Sequence, residues 1–172
     1  MKRILAFLCL LLSFVCLTAC DPGSYSLSER ETAAEITAIE LIEYTNEDQG
    51  HFVSWVPNHM DDLRPFDSTK ATVLQVLEPE KQEDFLNTLG EADILYKYYA
   101  YDSPKGICIR LTYADGTFMI VWANYFTGGF AGYIGTYTAD GAVQDFIGSF
   151  SAFSSFEALV TDYFGYELPK PE

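Results

Sequence analysis

The sequence predicts an α+β fold: a mainly antiparallel sheet of five or six strands, joined by meander hairpins, with two helices packed on one face. Three observations carry that expectation. Residues 107–113 and 117–124 alternate side chains with the period of two that marks a strand. Two Asp-Gly pairs, Asp115-Gly116 and Asp140-Gly141, fall between apolar runs, where a hairpin would reverse the chain. Near the C-terminal end, Phe153, Phe156, Val160, Tyr163 and Phe164 recur at helical spacing.

Taken in order, Glu35 to Tyr44 sets Ile36, Ala38, Glu40 and Ile42 against Thr37, Ile39, Leu41 and Glu43, as in a strand with one wetter face. Thr45 to Gly50 is a run of polar turn residues. His51 to Asp67 follows neither regular period and mixes both histidines and two prolines with Phe52, Trp55 and Phe66. It reads as a long ordered loop pinned by its aromatic side chains. Lys70 to Leu77 is strand-like again through Val73, Val76 and Leu77.

Pro79 opens a helix at the first position, where its missing N–H is no loss. Glu80, Glu83 and Asp84 suit the positive end of the helix dipole. Phe85, Leu86 and Leu89 give the helix an apolar side, and Gly90 is placed to end it in the left-handed conformation. Ile94 to Tyr101 reads as a tyrosine-rich strand, followed by a turn over 102–106. On the next strand Ile107, Ile109 and Leu111 share one face, leaving Cys108, Arg110 and Thr112 on the other. Its partner groups Phe118, Ile120 and Trp122. Gly128-Gly129 precedes a strand from Ala131 to Tyr137, and the second Asp-Gly reversal leads into Val143 to Phe150. Ser154 is positioned to cap the final helix, with Glu157 three residues on in the capping-box position and Gly165 available to end it.

These elements make one domain, 33–168, followed by a polar tail, 169–172. The chain starts differently. Lys2 and Arg3 precede an apolar run from Ile4 to Val15, and Leu17-Thr18-Ala19-Cys20 follows. That order is a secretory signal peptide over 1–19, and the apolar run is too short for a membrane span. The tetrad resembles the lipobox of bacterial lipoproteins. The resemblance covers the first 20 residues alone. It implies that the Cys20 thiol receives a diacylglyceryl group, that the signal peptide is cut before it, and that the new amino end is open to further acylation, for instance with palmitate. The implied address is the extracytoplasmic face of the cell membrane, with the lipid bilayer as a partner through acylated Cys20. In some diderm bacteria an aspartate after the cysteine, here Asp21, keeps such lipoproteins in the inner membrane. The alternative is an ordinary signal peptide, cut at the same junction to release a soluble protein. Residues 20–32 form the lipidated N-terminus and a tether, since Asp21 to Thr32 carries too little apolar surface to pack.

Beyond Lys2 and Arg3, 8 Lys or Arg face 25 Asp or Glu, a net charge of −17. Such a surface repels nucleic acid and anionic headgroups, so no nucleic-acid partner is expected. Acidity would suit a cationic partner or serve solubility. Cys9 and Cys16 leave with the signal peptide and Cys20 is the lipidation site. Cys108 then stands alone, so neither an internal disulfide nor a disulfide-linked partner is expected.

Candidate chemistry is sparse. His59, with Asp61 and Asp62 and with Asp67 near in sequence, would form a metal site or a carboxylate–histidine pair if the loop gathered them. The spacing fits no defined ligand motif, and polar loop chemistry explains it more simply. Cys108 reads as a nucleophile activated by Arg110 or, more plainly, as a small core side chain. The Asp-Gly pairs lack the alternating oxygen ligands of a calcium loop, and no phosphate-binding, dinucleotide or Gly-x-Ser-x-Gly motif occurs; no cofactor is expected. Trp55, Tyr96, Tyr98, Tyr125, Phe126, Phe130 and Tyr133 form a candidate recognition surface for a peptide, glycan or protein. The competing role is a second small core beneath the 51–67 loop. The functional expectation is therefore a non-enzymatic, membrane-anchored lipoprotein whose domain binds an envelope protein or small ligand. The alternatives are an envelope hydrolase using His59, Asp61 and Asp62, and an acidic protective protein that blocks a basic partner.

Overall fold

The computed structural model describes residues 36–45, 65–92, 94–96, 104–126, 129–150 and 153–168. The fold is α+β. Seven strands, β1 (Ile36–Tyr44), β2 (Ala71–Val76), β3 (Ile94–Tyr96), β4 (Gly106–Tyr113), β5 (Phe118–Phe126), β6 (Gly129–Tyr137) and β7 (Val143–Phe150), form one sheet. Among the described residues two helices accompany it: α1 (Pro79–Gly90) and α2 (Phe153–Ala158), the latter widening into a π-helical turn over Leu159–Tyr163. The strand order is β2-β1-β4-β5-β6-β7-β3, and every neighbouring pair is antiparallel. The expectation of five or six strands is thus exceeded, because both β2 and the short β3 join the sheet as its edges. Each such pairing satisfies a row of backbone donors and acceptors.

The run β4-β5-β6-β7 is the expected meander. Its Asp-Gly reversals are two copies of one three-residue loop, Ala114-Asp115-Gly116 and Ala139-Asp140-Gly141. In each, the residue before the loop binds the residue after it through its N–H: Tyr113 to the Thr117 carbonyl and Thr138 to the Ala142 carbonyl, both at 2.9 Å. The glycines hold φ of 85° and 87°, the left-handed position that closes this loop length.

The faces alternate as the sequence implied, and both are buried. Ile109, Leu111, Met119, Val121, Ile134 and Ile147 face one way and meet Phe85 and Leu89 of α1 and Phe156, Leu159, Val160 and Phe164 from α2 and its extension. Both helices therefore cover the same face. Phe85 stands edge-on to Tyr163 at 5.2 Å between ring centroids. The Tyr163 hydroxyl donates to Asp84 Oδ2 at 2.8 Å and lies 2.6 Å from the Thr88 hydroxyl, tying the two helices at the rim. The opposite face carries Ile42, Cys108, Phe118, Ile120, Trp122, Tyr133 and Tyr137, closed by Tyr44 and Phe66.

Three local expectations need correction. On β1, Ile36 joins Ile39 and Leu41 in the helix-covered core, because the register with β4 shifts between Ile36 and Ala38. A bulge there moves Ile36 to the opposite face from strict alternation. Gly90 does not turn left-handed: α1 ends through Glu91 at φ −81°, whose N–H reaches the Asn87 carbonyl at 3.0 Å. The last helix begins at Phe153, so Ser154 lies within its first turn instead of preceding it. Gly165, at φ 62°, does terminate that helix as expected.

Gly141 is also where the second face is fastened. The Phe66 N–H donates to the Gly141 carbonyl at 2.7 Å, and a Cβ on Gly141 would collide with the Phe66 carbonyl. At Gly165 an added Cβ meets open space. Gly165→Ala is therefore expected to lose about 1 kcal/mol of unfolding stability, the left-handed penalty alone. Gly141→Ala should lose about 3 kcal/mol, since the Phe66 strap must also shift. Equal losses in urea titrations would mean that Phe66 is not held at Gly141.

Candidate functional site

The second sheet face is where the aromatic side chains gather. Strand alternation sends Phe118, Ile120 and Trp122 of β5 to this side, and Tyr133 and Tyr137 of β6 lie opposite Trp122 and Phe118 in register. The Phe66 ring stacks on Tyr44 at 4.3 Å and lies 5.3 Å from Phe118 and 5.8 Å from Tyr137. Phe118 and Tyr137 stack at 5.4 Å, and Trp122 sits 5.5 Å from Tyr133. Such pairs prefer offset or edge-on geometry and add to simple area burial. Gly135, between the two β6 tyrosines, leaves room for the indole: a Cβ there would stand 3.4 Å from the Trp122 ring.

Of the aromatic residues named from the sequence, Tyr133 is 1% exposed and belongs to this core, so its place is packing and not a surface. Tyr96 lies on β3 opposite Gly148, Tyr125 on β5 directly opposite Phe130 of β6, and Phe126 opposite Gly129. Their backbones are described; their side chains lie outside the described residues, as do Trp55 and Tyr98. The histidines His51 and His59, with Asp61 and Asp62, and Cys20, the expected lipidation residue, also lie outside them. Among the described residues no three His, Cys, Asp or Glu side chains come together as metal ligands.

Cys108 is fully buried on the second face, and burial pushes its thiol far above the ordinary range. Its Sγ points at the carbonyls of Lys105 and Gly106, 3.7 and 3.6 Å away. A thiol so held stays protonated, which suits a small core side chain and not a nucleophile. Nor does Arg110 activate it. The Arg110 Nε and Nη2 both donate to Glu40 Oε2 at 2.7 Å, across the directly paired positions of β1 and β4. This half-buried ion pair was legible only once the register was known. A polar Glu40 between Ile39 and Leu41 was the one hint in the sequence.

Among the described residues, two polar atoms in the second core find no hydrogen-bond partner: Trp122 Nε1 and the Tyr137 hydroxyl. Burial drives the Tyr137 phenol well above its usual range, with smaller contributions from Cys108 and Tyr44, so it remains neutral. By contrast the Tyr44 hydroxyl is used, accepting from the Asp67 N–H at 3.0 Å.

Three exposed aspartates repeat one device. Asp67 accepts from the Thr69 N–H and hydroxyl, Asp115 from those of Thr117, and Asp140 from the Thr138 hydroxyl. In all three the threonine hydroxyl is the leading cause that lowers the carboxyl below its ordinary value of 3.8. These carboxylates fasten turns, and so do the Asp-Gly sequences in which two of them lie.

No protein-family model, curated protein or solved structure matches the chain.

Two outcomes follow from these polar contacts. Arg110→Leu strands a half-buried carboxylate and should remove about 2–3 kcal/mol of stability, whereas Glu40→Leu combined with Arg110→Leu should recover most of it. A purely additive pair would show that the bridge contributes nothing specific. For the aspartates, the folded-state values are depressed, so their stabilisation is present above the ordinary carboxylate range and is lost as pH falls through the lowered values. The urea midpoint should drop on acidification from about pH 4 toward pH 2. That drop should shrink when Thr69, Thr117 and Thr138 are all changed to valine; an unchanged pH profile would remove the hydroxyls as its cause.

Proposed function

We propose that this chain is a membrane-anchored extracytoplasmic lipoprotein, and that its α+β domain works by binding a protein or small ligand beside the bilayer instead of by catalysis. The observation that carries the anchor is Leu17-Thr18-Ala19-Cys20, set behind Lys2-Arg3 and the apolar run Ile4 to Val15. Two or three acyl chains on Cys20, at about 0.8 kcal/mol per buried CH₂, suffice for stable attachment. A tether of a dozen residues reaches at most roughly 40 Å, so the domain stays near the headgroups. The net charge of −17 beyond Lys2 and Arg3 repels anionic lipid, so the domain stands off the surface and presents itself to neutral or cationic partners.

The binding role draws support from how the described polar groups are used. Cys108 is buried and protonated, Arg110 is committed to Glu40, and Asp67, Asp115 and Asp140 each fasten a turn. Each has a structural task that explains its type and position.

The test compares the full chain with its Cys20→Ala form in a bacterial host supplied with labelled palmitate. The unaltered chain should take up label and fractionate with membranes, and Cys20→Ala should lose both. Label or membrane retention in the variant would overturn the anchor. Crosslinking in the same cells should capture one stoichiometric partner; turnover of an envelope substrate that survives loss of every such partner would overturn the binding role.

A further inference from the structure

Asp140-Gly141 carries a reactivity that its turn-making role does not use. An aspartate followed by glycine is open to attack by the glycine nitrogen, because no Cβ shields that nitrogen. The Gly141 N bonds to Asp140 Cγ, the Cγ–OH bond breaks, and the hydroxyl leaves as water with the amide proton. The product is a five-membered succinimide. Water then adds at one of the two ring carbonyls. Opening at Cγ restores aspartate, whereas opening at the former main-chain carbonyl leaves isoaspartate, whose main chain runs through Cβ and Cγ. One water is lost and one regained, so no other reactant is required.

The sequence holds two such pairs, Asp115-Gly116 and Asp140-Gly141, and both aspartates are exposed to water. The fold restrains the two alike. Each glycine N–H donates to the carbonyl three residues before it, Gly116 to Tyr113 at 2.9 Å and Gly141 to Thr138 at 2.8 Å. Each carboxylate accepts from a threonine hydroxyl, Asp115 from Thr117 and Asp140 from Thr138. Those hydroxyls favour the ionised carboxylate, which is the poorer electrophile.

What differs is what each glycine supports. At Gly116 an added Cβ would meet the Ala139 side chain at 3.3 Å. Gly141 is buried, accepts the Phe66 N–H at 2.7 Å and lies directly against the Phe66 carbonyl. Isoaspartate at 140 adds one main-chain carbon just before Gly141, about 1.5 Å of extra path. The loop is closed by the Gly141 N–H on Thr138 and the Thr138 N–H on Ala142, which fix its length. A longer loop cannot keep those bonds and also hold the Gly141 carbonyl at Phe66.

We propose that Asp140 is a site of spontaneous modification: isoaspartate forms there slowly in the folded chain, restrained by the Thr138 hydroxyl, and releases Phe66 from Gly141. The strap then keeps its bonds from Asp67 to the Tyr44 hydroxyl and from Thr45 to Lys70, while Phe66 loses its own. The reaction is independent of the anchor and of any partner, since it needs only water and the folded chain.

The test ages the full chain, extracted in detergent, for weeks at neutral pH. Electron-transfer fragmentation then distinguishes isoaspartate from aspartate at each site. Isoaspartate should accumulate at 140, and in that fraction the Phe66 amide should exchange its hydrogen at least tenfold faster by NMR. The fraction carrying isoaspartate at 115 alone should leave Phe66 exchange unchanged. Thr138→Val should speed conversion at Asp140 about tenfold and spare Asp115, and Thr117→Val should do the reverse. Faster conversion at both sites in either variant would point to loosened folding and overturn the role of the hydroxyls. Aspartate intact at 140 in the aged folded chain, while the urea-unfolded chain converts, would overturn the proposal. So would isoaspartate at 140 with Phe66 exchange unaltered.

Discussion

The central strands of this sheet are buried on both faces, and nearly every other feature answers to that constraint. Cys108, Ile109, Ile120, Val121 and Trp122 are all at 0% exposure, although they alternate between opposite sides of β4 and β5. A sheet with two apolar faces requires two covers. The helices supply one, with Phe85, Phe156, Leu159 and Val160. On the other, Phe66 is set on Phe118 and Tyr137 and stacks on Tyr44 of β1. The first cover is regular secondary structure. Among the described residues the second includes a short strap, held by backbone bonds from the Phe66 N–H to Gly141 and from the Thr45 N–H to Lys70, and by the Asp67 N–H on the Tyr44 hydroxyl.

That asymmetry carries into the polar groups. On the helix side the rim is tied by Tyr163 with Asp84 and Thr88, and its phenol is raised mainly by desolvation despite lying close to solvent. On the strap side the aromatic layer encloses an indole N–H and a phenol that find no partner, while Glu40 and Arg110 satisfy each other on the same face. Buried polar atoms without partners are rare because desolvation is unfavourable. On this side ring packing works together with the bonds from Phe66 to Gly141 and from Asp67 to the Tyr44 hydroxyl.

The sheet ends are as unequal as its faces. β3 is three residues long, whereas β2 has six and leaves Val73, Leu74 and Val76 exposed.

Much of the fold was legible in the sequence because its signals are local. Period-two alternation fixed the two faces of β4 and β5, the repeated Ala-Asp-Gly loops announced the meander, and Pro79 and Gly165 marked helix ends through their own backbone preferences. Of the candidate site, less could be read. Cys108 as a core residue followed from its place on an alternating strand, but the Glu40–Arg110 pair joins residues far apart in sequence and exists only through register. Tyr133 was one aromatic among many until the pairing with Trp122 placed it inside. The sequence by itself determined the strand periods, the turn chemistry and the lipobox-like start, each written in a few adjacent residues. Only the tertiary structure decided which strands became edges, where a bulge turned Ile36, and what covered the second face. Those outcomes depend on which distant segments meet, and no local preference encodes that.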